Sequence, residues 1–222
     1  TLFRSVTPLP WLQGVTLSLL ASLASLTLIG YRFGDSNHGI TVPILKRFID
    51  RSLYPGDFLV ATGDRFPTIF YRVLGTLLPS TDWVPFAYFA LYVISIALTY
   101  AAVYRMGVWA SSGDRGVGVL AVLLAMPVRT GLAGEALYRV AFSHSHLASG
   151  LDLMALALFL EGRRALPILM LSLGVYNHAL YSLYLLVPFT LAILWEAKST
   201  LRRTTLRYLA FAWVPVIPFL VS

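Results

Sequence analysis

Apolar positions fall in long runs separated by polar stretches, and residues 11–29 set the pattern, being apolar or small apart from Gln13 and a few hydroxyls. About 20 helical residues rising 1.5 Å each cross a hydrocarbon layer of about 30 Å, so this run predicts a first membrane span. Residues 83–104 carry no charge and have aromatics at both ends, where amphipathic rings favour the headgroup level. They predict a second span. Shorter runs over 116–128 and 146–160 predict a third and a fourth, the latter containing Asp152, with a loop over 105–115 before them. Runs over 165–175 and 179–195 are split by Tyr176, Asn177 and His178, and 208–221 opens a further, proline-interrupted span. The sum is an all-α polytopic integral membrane protein of about six or seven transmembrane helices, one transmembrane domain over 1–222. Thr1 in place of an initiator methionine, and an end inside an apolar run, suggest a partial or processed chain.

The long polar stretch over 31–82 breaks this rhythm. Within it Ile44, Leu45, Phe48 and Ile49 recur at helical spacing opposite Lys46, Arg47, Asp50 and Arg51. The set Ile69, Phe70, Val73, Leu74 and Leu77 repeats the pattern opposite Arg72. Both are too short and too charged to span, so they predict two interfacial helices, over 41–53 and 66–78. The Pro55-Gly56 pair marks the turn between them.

Charge fixes an orientation. With a cytoplasmic amino terminus, Arg4, Arg105, Arg115, Arg163, Arg164, Lys198, Arg202, Arg203 and Arg207 all fall in inside loops, as the positive-inside rule requires. The 31–82 loop then lies outside, together with His38, His144, His146, His178 and most carboxylates. The net charge of +7 is accounted for by these arginines, which removes its usual implication of nucleic-acid binding. A composition of 58% hydrophobic and 12% charged residues excludes an ordinary soluble domain. The absence of cysteine excludes disulfides, thiolate metal sites and cysteine nucleophiles.

A span followed at its outer end by Gly34-Asp35-Ser36-Asn37-His38, then a long outer loop with two surface helices and Leu53-Tyr54-Pro55-Gly56-Asp57, then short-looped spans, resembles the amino-terminal module of GT-C-type, polyprenyl-phosphate-sugar-dependent glycosyltransferases and related uncharacterised bacterial membrane proteins. Tyr176-Asn177-His178-Ala179-Leu180-Tyr181 within an apolar helix pair fits the same resemblance. It implies a bacterial inner-membrane enzyme acting at the outer face on a lipid-linked sugar donor. Asp35 would be the catalytic base, and Asp57 its partner, the two binding a divalent cation, Mg or Mn. Arg72, Arg129 and Arg139 would hold the lipid-linked phosphate, and His38, His146, Asp152 and His178 would complete the substrate-binding set. The sequence departs from the family's paired acidic motif, having Asp35-Ser36 in its place.

Other assignments remain open. A non-catalytic subunit of a larger respiratory or photosynthetic membrane complex would use the same aromatic-rich spans to pack on partners and lipids. A transporter could be built around Asp152 and His178. His144 and His146, which diverge by about 200° on a helix, could ligate zinc, copper, iron or a haem with His38 or His178. Asp152 could instead pair with Arg139 or His146, and Asn177-His178 could simply cap broken helix ends.

Overall fold

The computed structural model describes residues 11–35, 37–66, 68–126, 140–163, 165–197, 207, 209–210 and 213–217. Among them there is no strand, and the chain is all-α. In order come α1 (Trp11–Ile29), α2 (His38–Ile49), a short α3 (Phe58–Ala61), α4 (Phe70–Leu77), α5 (Val84–Ala110), α6 (Arg115–Ala125), α7 (His144–Leu160), α8 (Ala165–Asn177) and α9 (Ala179–Ala197). With the single 3-10 turn before it, α5 forms one helix, Thr81–Ala110, that is long and apolar enough to cross a membrane. Apolar stretches of α1, α6, α7, α8 and α9 are shorter.

The axis of the fold is α5, which packs against α1, α6 and α7, while α7 carries α8 and α9 on its other side. Every fourth position of α5, from Tyr88 through Tyr92, Ile96, Tyr100 and Tyr104 to Val108, is buried, since residues four apart share one helix face. Opposite this ladder α1 turns its smallest residues inward: Ser18, Ala21, Ser22 and Ser25 are buried. Ser18 and Ser22 donate their hydroxyls to the carbonyls one turn back, and Ser25 meets the Tyr100 hydroxyl. Meanwhile Leu19, Leu20, Leu23 and Leu28 of the same helix are exposed. Small residues let helix backbones approach closely, and Gly150 of α7 does this against α5, where a Cβ would lie 3.0 Å from the Ser95 carbonyl oxygen.

Two boundaries differ from the sequence-based expectation. The loop expected over 105–115 is mostly helix, because α5 continues to Ala110. Arg105 does not end it, being paired with Glu161 at the carboxyl end of α7. At about 40 Å for 27 residues, α5 outreaches a hydrocarbon layer. The break expected at 176–178 is narrower, since Tyr176 and Asn177 complete α8 and the His178 amide still donates to the Gly174 carbonyl at 2.7 Å.

The segment over 31–82 also packs differently. Both amphipathic helices form, as α2 and α4, but Ile44, Leu45, Phe70 and Tyr71 are buried within the protein core. The apolar stripe left exposed along α4 and the residue before it is Ile69, Val73 and Leu77. The four-residue α3, too short to show a period, has no counterpart in the sequence pattern.

Candidate functional site

The head of α2 is built around His38, which is 2% exposed. Its Nδ1 accepts from the Gly34 amide at 2.9 Å, so the ring proton resides on Nε2, which donates to the Phe142 carbonyl at 2.7 Å. A second link, from the Arg32 amide to the Val140 carbonyl at 2.6 Å, ties the same loop to the segment that leads into α7. Tyr88 meets the imidazole edge to face and Phe33 lies tilted against it. Burial pulls the His38 pKa below its ordinary value, against the opposing influences of the Phe142 carbonyl and of Asp35. Both nitrogens are spent on backbone, so His38 positions the loop and cannot itself take a substrate proton. What the loop presents is Asp35, exposed and beside His38.

The second cluster lies where α4, α7 and the α8–α9 junction meet. Burial first, and then the neighbouring Tyr88, holds the Tyr71 hydroxyl far above its ordinary pKa. It therefore keeps its proton and donates to His144 Nδ1 at 2.8 Å. His144 stacks on Phe70 and on His178, their ring centroids 6.0 and 5.3 Å away, and His178 rests on Tyr181 at 4.5 Å. Burial lowers the His178 pKa, and its Nδ1 is enclosed without a hydrogen-bond partner.

The carboxyl end of α8 is closed by the chain ahead of α4. The Thr68 hydroxyl lies 3.0 and 2.8 Å from the Tyr176 and Asn177 carbonyls, and the Ile69 amide donates to the former at 3.2 Å. These are the carbonyls a helix end leaves unpaired, so helix capping accounts for the polar break. Thr68→Val should cost about 1–2 kcal/mol and speed hydrogen exchange at the Ile69 amide, read by mass spectrometry.

Below this junction Asp152 of α7 and Ser182 of α9 are both buried, with Ser182 Oγ 2.8 and 3.0 Å from the two carboxyl oxygens. Gly174 of α8 makes room, since a Cβ there would collide with Ser182 Oγ and Asp152 Oδ1. Gly174→Ala should therefore lower the unfolding midpoint in detergent, at a cost of about 1–3 kcal/mol, whereas trimming the exposed Leu180 to Ala should change it little.

The structure thus brings together some expected residues and separates others. His178 joins His144 rather than His146, whose Nδ1 accepts from the Ser143 amide at 3.3 Å in a capping box at the start of α7. Asp152 meets Ser182 rather than His146. Asp57 is exposed and caps α3, accepting from the Val60 amide at 3.0 Å, and no interaction joins it to Asp35 among the described residues. Arg72 is exposed on α4, while Arg129 and Arg139 lie outside the described residues. No group of three His, Cys, Asp or Glu able to hold a metal ion is present among the described residues. Tyr71, Thr68 and Ser182 carry no mark in the sequence that sets them apart from the chain's other hydroxyls. No protein-family model, curated protein or solved structure matches this chain.

Proposed function

We propose that this chain is the membrane module of a GT-C-like glycosyltransferase that transfers a sugar from a polyprenyl-phosphate donor at the outer face of a bacterial inner membrane. In this account α1 and α5 to α9 are set in lipid, with about six or seven crossings in the full bundle, and α2 to α4 form the outer cover. The distribution of side chains supports the lipid setting: serines line the inside of α1, while leucines face out on α1, α6 and α8, the reverse of a water-soluble bundle.

The catalytic assignment is carried by one observation, an exposed carboxylate, Asp35, six residues beyond α1, on a loop that His38 fixes at two backbone points. A carboxylate on a rigid loop at the lipid boundary suits a base that takes or orients an acceptor hydroxyl proton. Arg72, with Arg129 and Arg139, are the candidate cations for the lipid phosphate.

The experiment is a transfer assay with the purified full chain in liposomes that contain a labelled polyprenyl-phosphate hexose. Label moving to a hydroxyl acceptor supports the proposal. No transfer, with recovery of the chain in fixed stoichiometry with other subunits, supports instead a non-catalytic member of a respiratory or photosynthetic complex. That second assignment is favoured by the outward aromatics Tyr184 and Trp195, 72% and 78% exposed.

A further inference from the structure

We infer that Asp152 and Ser182 form a proton-binding site inside the helical bundle, with the proton as its ligand and His178 as its nearest exchange partner toward the outer face. The hydrogen-bond count carries this. Ser182 Oγ lies within bonding distance of both carboxyl oxygens, yet a hydroxyl has one proton to give. Both contacts are hydrogen bonds when the carboxyl holds a proton of its own, Ser182 donating to one oxygen while the other, as O–H, donates back to the serine.

Among the described residues the surroundings supply no substitute for that proton. Asp152 is the only charged residue of α7, α8 has none, and α5 and α9 add only Arg105 and Glu196. Arg105 is engaged with Glu161, about 13 Å further along α7 at helical rise. On the α5 side, Ser95 and Thr99 spend their hydroxyls on the carbonyls of Leu91 and Ser95. An ionised carboxylate buried there would have a single neutral donor and, among the described residues, no counter-ion, which an apolar bundle does not tolerate.

The other titratable groups of these elements are Tyr88, Tyr92, Tyr100 and Tyr104 on α5, His144 and His146 on α7, Tyr176 at the end of α8, and His178, Tyr181 and Tyr184 around the start of α9. Of these His178 is placed for exchange. It sits one helical turn before Ser182, its amide bonds the Gly174 carbonyl beside the pair, and its Nδ1 is enclosed with no partner. Loading moves one proton from the outer side to the carboxyl, and unloading returns it.

Infrared spectroscopy of the full chain in lipid nanodiscs tests this. At neutral pH the wild type should show a protonated-carboxyl C=O band that is lost in Asp152→Asn, and in Ser182→Ala the band should shift to higher frequency as its hydrogen bond disappears. A wild-type spectrum identical to that of Asp152→Asn in this region overturns the inference. Should Asp152→Asn fail to fold, an unmoved band in Ser182→Ala overturns it equally. Sugar transfer plays no part in the readout, so the site stands or falls independently of the proposed activity.

Discussion

Asp35→Asn is expected to lower sugar transfer by about 10²- to 10⁴-fold, the usual contribution of a positioned general base, while the unfolding midpoint stays put. The amide keeps the shape of the side chain and loses its ability to take a proton. Folding should change little because the amide is isosteric with the carboxylate and the Asp35 backbone carbonyl, which accepts the His38 amide at 3.2 Å, is kept. Asp57 offers the matching control. Its carboxylate caps α3, a task serine performs equally well, so Asp57→Ser preserves the fold and isolates any chemical part for that carboxylate. Rate and midpoint measured on the same preparations separate the two roles.

His38→Ala should have the largest effect on stability, roughly 2–4 kcal/mol, because it strands the Gly34 amide and the Phe142 carbonyl at once. The loop carrying Asp35 would then lose its fixed position, so transfer should fall together with the unfolding midpoint. The same histidine predicts an acid response. Its folded pKa is below the ordinary 6.5, so as pH falls the unfolded chain takes up a proton first. The stabilisation is whole above about 6.5 and is lost progressively below it. His178, lowered by burial, acts with the same sign. Acid unfolding followed by intrinsic fluorescence should therefore be shallower in His38→Gln than in wild type, without vanishing.

How far the chain reveals itself depends on the range of the interaction. The limits of α1 follow from hydropathy alone, because an apolar run bounded by polar residues needs no neighbour to define it. Which face of α1 turns inward does not follow, since Ser18, Ser22 and Ser25 are buried only because α5 offers a tyrosine ladder at the matching height. The two amphipathic patterns give α2 and α4, yet a moment does not say whether the apolar face meets lipid or protein, and Ile44 and Tyr71 meet protein. At the site, Asp35 is legible as a carboxylate just past the first apolar run. His38 stands out in the sequence as a candidate but not as a clamp, because its partners, Gly34 and Phe142, include one 104 positions away. Asp152 stands out as a charge in an apolar helix, whereas Ser182 is one hydroxyl among many until α7 and α9 are packed.

The central claim, that Asp35 and the histidine cluster face the outside, is open to a direct measurement. The chain contains no cysteine, so single cysteines report their side of the membrane without background. Asn37 and Arg163 are both exposed, one beside Asp35 and the other at the far end of α7. In intact spheroplasts a membrane-impermeant maleimide should label Asn37→Cys at once and Arg163→Cys only after permeabilisation. Labelling of both from one side, or in the reverse order, would contradict the account.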